Sequence, residues 1–138
     1  MPRVRPLIAL FALCLSAPLL AACGSTASTS SFKGVEHEVA QRIADLQSDA
    51  TSGNRESICK HDLAAAIVAK LGGRKSCEEA LKHQLTQIDS LEATIESVKV
   101  APDGKTATAK VKSTYEGKTR ETSVPLVKEA GGWKMAGA

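Results

Sequence analysis

The chain has 138 residues, of which 43% are hydrophobic and 24% are charged, and its formal net charge is +3. This composition is typical of one modest globular domain and excludes collagen-like, fibrous and wholly disordered chains. Arg3 and Arg5 are the only charged residues among the first 22, so the remainder carries 16 basic and 15 acidic side chains. A near-neutral body without a basic stripe or stacking aromatics argues against nucleic acid as a partner.

Residues 1–22 have the layout of a secretory signal peptide. Two arginines precede an apolar run over residues 7–22, which is shorter than the ~20 residues needed to cross a membrane as a permanent helix. The run ends in Leu-Ala-Ala followed by Cys23, which resembles the lipobox of bacterial lipoproteins. The resemblance implies that Cys23 is acylated and anchors the mature protein to the extracytoplasmic face of the bacterial cell membrane. The alternative is an ordinary signal peptide, cut at an Ala-x-Ala-like site, with an incidental cysteine.

The segment after Cys23 is predicted to be a tether. Residues 24–31 carry no charge and no large apolar side chain, so they have little to bury. Residues 23–32 are therefore expected to form a lipidated cysteine and a flexible Ser/Thr linker, and residues 33–138 the folded domain. An extended linker of this length would hold the domain roughly 25 Å from the lipid surface.

Three helical segments are predicted before the sheet. In the first, over residues 35–50, apolar side chains recur every three or four residues and share one face: Val35, Val39, Ile43, Leu46 and Ala50. The second is alanine-rich, broken near Cys59 and ended by glycines 72–73. The third begins at a capping box over residues 76–79 and continues to Ile88.

Two cysteines remain after export, and they are predicted to form a disulfide. Cys59 and Cys77 lie near the ends of short helices, and an oxidising compartment permits the bond. A bridge closing about 18 residues contributes roughly 3 kcal/mol in the chain-entropy model. The competing reading is a zinc site that adds His61 and His83, but their spacing matches no standard ligand pattern. We therefore expect the disulfide, with no metal and no cofactor.

Beyond Leu91 the apolar period changes from 3.6 to 2, which predicts β-strands. The first covers residues 91–100, with a bulge near Ser97 because Val98 and Val100 have the opposite parity. Three further strands follow, separated by glycine-containing turns: residues 106–115, 118–128 and 133–135. The predicted fold class is α+β, with three N-terminal helices packed against a curved four-stranded antiparallel sheet.

The order of these elements carries a resemblance. With a Val-x-Val-x-Pro-Asp-Gly-x-x-Ala stretch from Val98 and a closing Gly-Gly-Trp-Lys-Met over residues 131–135, residues 33–138 resemble the nuclear transport factor 2-like superfamily. The likeness is greatest to small exported actinobacterial lipoproteins built on that fold. It implies a cone with a cavity between helices and sheet, which members use as an enzyme site, a ligand pocket or a docking surface. A cystatin-like arrangement would give a similar layout.

Few residues are placed to carry chemistry. Tyr115 has the apolar parity of its strand, and it either points inward or packs at the strand end with its hydroxyl in water. His37 and His83 are predicted to be exposed, Asp45 to lie on a charged helix face, and Asp62 to cap or flank the second helix. The sequence contains no Ser-His-Asp arrangement, phosphate loop or calcium-spaced carboxylate cluster. No catalytic residue is therefore assigned.

Basic residues are concentrated in the second and third predicted strands, and we expect them to share the exposed face of the sheet: Lys105, Lys110, Lys112, Lys118 and Arg120. One interpretation is contact with anionic lipid or cell-wall polymer. The other is a solvated face whose lysines prevent association between sheet edges.

These observations predict a lipid-anchored extracytoplasmic domain of the bacterial cell envelope. Its partners are the membrane, through lipidated Cys23, and a small apolar ligand or an envelope protein. One alternative is an isomerase- or cyclase-like enzyme that uses the cone cavity, and another is an accessory subunit of an envelope complex.

Overall fold

The computed structural model describes residues 27–86, 92–115 and 117–137. Its helical part comprises four α-helices and one π-helical segment, Ile58–Asp62, which lies between the second and third of them. The helices are α1 (Gly34–Ser52), α2 (Arg55–Ser57), α3 (Ala65–Lys70) and α4 (Arg74–Leu85). The strands are β1 (Glu92–Val100), β2 (Thr106–Tyr115), β3 (Lys118–Glu129) and β4 (Gly132–Met135).

Helix α1 confirms the first predicted helix and supplies the helical side of the core. Val39, Ile43 and Ala50 are buried as expected, because their spacing places them on one face. Gln47 is buried on the same face, although the apolar pattern does not include it. The helix ends where Gly53 adopts φ +71°, a left-handed conformation that glycine reaches without steric cost.

The second predicted helix is divided more than expected. It consists of α2, the π-helical segment and α3, and the N–H of Leu63 donates to the carbonyl of Ile58 five residues earlier. This wider turn ends at Asp62, whose side chain is enclosed. The expected set of three helices is therefore replaced by four α-helices and a π-helical segment in the described part of the chain.

Helix α4 begins before the predicted capping box. It starts at Arg74, and its N-terminal neighbour Gly73 has φ +96° and provides no side-chain cap. The N–H of Cys77 donates to the carbonyl of Gly73, so Ser76 already lies inside the first turn. The predicted box over residues 76–79 is wrong because the helix nucleates directly after the glycine pair. Ile88, the expected helix end, lies outside the described residues.

The sheet confirms the predicted antiparallel meander, with strand order β1-β2-β3-β4. The register of β1 on β2 shifts between Ile95 and Ser97, which is the predicted bulge. The α+β fold class with a four-stranded antiparallel sheet is thus confirmed. A parallel bridge between Leu63 and Met135 connects the far edge of β4 to the helical half of the protein.

The core lies between α1 and one face of the sheet. Its most completely buried members come from both layers: Val39, Ala40, Ala109 and Leu126. Trp133 of β4 closes one side and is 3% exposed. Burial of an apolar side chain of this size contributes roughly 1.5–3 kcal/mol, so this aliphatic layer supplies much of the stability.

The chain before α1 also packs on the domain. Ala27 is 5% exposed and joins the core, and its N–H donates to Oε1 of Gln47 at 2.7 Å. Phe32 is partly buried against the same cluster, and Nδ1 of His37 lies 3.2 Å from the carbonyl of Thr29. Contacts with the folded body therefore begin at least six residues before residue 33.

Candidate functional site

A cluster of charged residues is enclosed where α1, the π-helical segment and β4 meet. Asp62 is fully buried, and Nη1 of Arg42 lies 2.9 Å from its Oδ1. The same guanidinium atom is 3.9 Å from Oδ2 of Asp45. Asp62 flanks a helix as expected, since it is the last residue of the π-helical segment, but it does not cap α3, which has no side-chain cap. The π-helical turn places Asp62 beneath α1, where it is paired across 20 residues of sequence.

The environment of Asp62 changes its acidity. Burial raises the pKa of Asp62 to about 6, and the hydrogen bond from Arg42 opposes this increase. Repulsion from the nearby Asp49 carboxylate raises the pKa further. Among the described residues, the buried Oδ2 of Asp62 has no hydrogen-bond partner. Asp62 is therefore a carboxyl group that exchanges its proton close to neutral pH.

A cleft of about 260 Å³ lies beside this group. Its lining is polar and comes from α1 and from the segment that follows it: Arg42, Asp45, Ser48, Asp49, Ser57, His61 and Asp62. A small polar molecule fits this volume, and Asp62 is the lining group whose pKa is raised by burial.

Lys134 is a buried cation beside Asp62 and the half-buried Arg42. Its Nζ donates to the carbonyl of His61 at 2.6 Å and to that of Lys60 at 3.3 Å. Burial lowers the pKa of Lys134, and the nearby Arg42 charge lowers it further. Because both carbonyl groups belong to the last turn of the π-helical segment, Lys134 connects that segment to β4.

The predicted disulfide between Cys59 and Cys77 is present, and it joins the π-helical segment to α4. The two Cα atoms are 6.1 Å apart, and the residues are 3% and 0% exposed. Both sulfurs are used in this bond, so neither is available as a thiolate ligand for zinc. His61 and His83 are exposed, and no cluster of metal-ligating side chains occurs in the described ranges.

A larger groove of about 640 Å³ borders the disulfide. It lies between α3 and the turn joining β3 to β4. Leu63 and Val68 contribute apolar surface, and Glu129 and Lys134 contribute polar atoms. Oε1 of Glu129 also accepts a hydrogen bond from the N–H of Ala65 at 3.0 Å, which connects this turn to the start of α3.

The third concave surface lies at the far end of the β2–β3 ribbon. It encloses about 360 Å³ and is lined by Ser113, Tyr115, Lys118 and Arg120. All four have the strand parity that faces α1, but they lie beyond the part of the sheet that α1 covers. Tyr115 is half-buried on the inward side, as one of its two predicted placements required.

This register corrects the expectation that all the basic residues share one exposed face. Lys110 and Lys112 lie on the outer face, whereas Lys118 and Arg120 are on the opposite, α1-facing side. The difference arises because antiparallel pairing places Tyr115 opposite Lys118 and Ser113 opposite Arg120. Lys105 precedes β2, in the turn that connects it to β1.

The remaining sequence-predicted positions fall into two groups. Cys23 lies outside the described residues, and His37 is exposed as expected. The pairing of Arg42 with Asp62 was not predicted. One sequence feature is compatible with the burial of Asp62. It follows the buried Ile58 by four residues, a spacing that places two side chains on the same face of a helix.

None of the helices in the described ranges is long and apolar enough to span a membrane. A scan against protein-family models, a search of curated proteins and a search of solved structures each returned no match for this chain.

Proposed function

We propose that this protein is a lipid-anchored, extracytoplasmic binding or protein-interaction domain of the bacterial cell envelope, built on a nuclear transport factor 2-like cone. The observation that carries the proposal is the buried Cys59–Cys77 disulfide, in a chain that begins with a signal-like segment ending at Cys23. Structural disulfides persist in oxidising compartments and are rare in the cytosol. The lipobox and the disulfide therefore point to the same side of the membrane.

The packing of the domain supports binding at its surface. Val39 and Ala40 of α1 and Ala109 of β2 are each 0% exposed, so this part of the space between helix and sheet is filled by side chains. The concave surfaces described above instead lie at the margins of the domain, where partners have access. This distribution favours recognition of a ligand or an envelope protein at the surface.

The alternative is an isomerase- or cyclase-like enzyme, and one observation favours it. Asp62 has a pKa near 6 and lines an open cleft, a combination that suits a general acid or base. Arg42 holds one oxygen of this carboxyl group, and Asp49 lies near the same group. The second candidate therefore places its proton transfer where the buried Asp62 borders the cleft, and not inside the cone.

The anchoring proposal is tested at Cys23. We expect Cys23→Ala to abolish incorporation of radiolabelled fatty acid and to reduce membrane retention, because the thiol that accepts the lipid is gone. The folded body should be unaffected, since the anchor and the core share no residues. Fatty-acid labelling with membrane fractionation measures both effects.

Cys14→Ala is the matched control, since it removes the cysteine of the preceding apolar run without changing the lipobox. It should keep the full fatty-acid label. Loss of label in both variants, or in neither, would contradict the assignment of Cys23 as the acylated residue.

A further inference from the structure

The two faces of the β2–β3 ribbon differ in how their positive charges are balanced. On the outer face, Nζ of Lys110 lies 3.4 Å from Oε1 of Glu121. Lys112 is the direct cross-strand neighbour of the same glutamate. The outer cations therefore have a carboxylate beside them, which reduces the attraction of this face for a further anion.

On the α1-facing side of the ribbon end, the positive charge has no ion-paired carboxylate among the residues that the structure describes. Lys118 and Arg120 are exposed there, and neither forms an ion pair with any of the described residues. They lie two residues apart on β3 and therefore project from the same face. Their cross-strand neighbours on β2 are Tyr115 and Ser113.

These four residues combine charge, hydroxyl groups and an apolar wall. The guanidinium of Arg120 is a planar fork that matches two oxygens of a phosphate-type group, and Lys118 adds a compact point charge. The Ser113 hydroxyl is a short-range donor, and the half-buried ring of Tyr115 forms one side of the pocket of about 360 Å³. The pocket is large enough for an oxyanion and a small organic substituent.

We propose that this pocket binds a phosphate-type oxyanion, either as free phosphate or a phosphate ester, or as the phosphate of a lipid headgroup. This inference names a ligand class for the binding function proposed above and rests on it. Arg120 and Lys118 provide the charge, and Ser113 and Tyr115 define the shape. The ligand lies on the side of the sheet that faces α1, not on the outer lysine face.

The test uses the full chain, isotopically labelled and held in uncharged maltoside micelles, with inorganic phosphate as the probe. We expect the amide resonances of Ser113 and Arg120 to shift on titration. Arg120→Gln and Lys118→Gln should each weaken binding by about tenfold or more, since each removes a charge-assisted contact. Lys112→Gln is the matched control because it removes the same charge from the opposite face, and it should change the affinity by less than about twofold.

A second titration distinguishes the two sources of phosphate. Micelles doped with phosphatidylglycerol, without inorganic phosphate, should shift the same amides if the ligand is a lipid headgroup. A response that depends on Arg120 supports phosphate binding in this pocket, and the probe that causes it identifies the source of the phosphate. No localised shift with either probe, or equal weakening by Lys112→Gln and Arg120→Gln, would overturn it. Acylation of Cys23 is measured independently, so failure of this site and failure of the anchoring proposal are distinguishable.

Discussion

The Asp62 side chain is costly to bury, and its burial also changes its pKa. Removing a carboxylate from water is costly unless it is paired, and Arg42 supplies that pairing from α1 at 2.9 Å. Burial still outweighs the ion pair, because the pKa of Asp62 is raised to about 6. The folded state therefore binds a proton at Asp62 more tightly than the unfolded chain does.

The raised pKa predicts a pH dependence of stability. The ordinary value is 3.8, so between about pH 4 and pH 6 the native state holds the Asp62 proton while the unfolded state releases it. Binding of this proton adds to the free energy of unfolding. The added stability is present in full below pH 4 and is lost as the pH rises through 6. At about 1.4 kcal/mol per pKa unit, the loss amounts to about 3 kcal/mol. Asp62→Asn cannot titrate, so its free energy of unfolding should lack this component.

Denaturant melts at a series of pH values between 4 and 7 measure the effect. Asp103→Asn is the matched control, since Asp103 is exposed in the turn before β2 and its Oδ1 accepts from the N–H of Lys105. This control should retain the wild-type pH profile. Identical profiles for wild type and Asp62→Asn would show that Asp62 does not take up a proton in this range.

At the scale of elements, the π-helical segment is one of the connections between the helical and sheet halves of the protein. The Cys59–Cys77 disulfide attaches it to α4, Lys134 attaches it to β4, and Asp62 attaches it to α1. A five-residue segment has little helical stability of its own. Its conformation therefore depends on these three attachments.

Removing the disulfide should destabilise the protein considerably. We expect Cys59→Ala combined with Cys77→Ala to lower the free energy of unfolding by roughly 3 kcal/mol, because the bond closes an 18-residue segment. Denaturant melts of the oxidised wild type and of the double variant provide the comparison. Reductant should lower the stability of the wild type toward that of the variant and leave the variant unchanged. A reductant-insensitive wild type would contradict a stabilising disulfide.

At the scale of the whole molecule, packing of the N-terminal segment would limit how far the domain lies from the membrane if Cys23 is acylated as proposed. Ala27 is held by Gln47, so only residues 24–26 separate Cys23 from the folded body. From Cys23 to Ala27 the extended chain advances by four residues of ~3.3 Å each and spans roughly 13 Å. This is about half the distance expected if the linker were free as far as residue 32. The domain of an acylated protein would therefore lie close to the headgroups.

Replacing Gln47 should release this restraint. Gln47→Ala removes the acceptor of the Ala27 N–H, so the chain should detach up to Thr29, which still contacts His37, and the domain of the acylated protein should move away from the bilayer. Neutron reflectometry on supported bilayers carrying the acylated protein measures the separation. Gln41→Ala is the matched control, because Gln41 is exposed on α1 and its amide donates to Asp45. An equal separation in all three proteins would contradict the role of Gln47.

Local sequence patterns determined most of the secondary structure. Alternating apolar residues predicted the four strands, and the parity change around Ser97 predicted the bulge in β1. The remaining pair of cysteines allowed only one intramolecular disulfide, Cys59 with Cys77, and the structure contains it. These features follow from neighbouring residues or from counting, so no long-range information was needed.

Tertiary structure alone decided which polar groups are enclosed. Arg42, Asp62 and Lys134 come from distant parts of the chain, and each looks like an ordinary surface residue within its own segment. Lys118 and Arg120 share a local pattern with the outer lysines, but strand register places them on the other face. Periodicity specifies the face of an element, whereas burial and charge pairing depend on what packs against that face. The candidate sites were therefore less predictable than the fold.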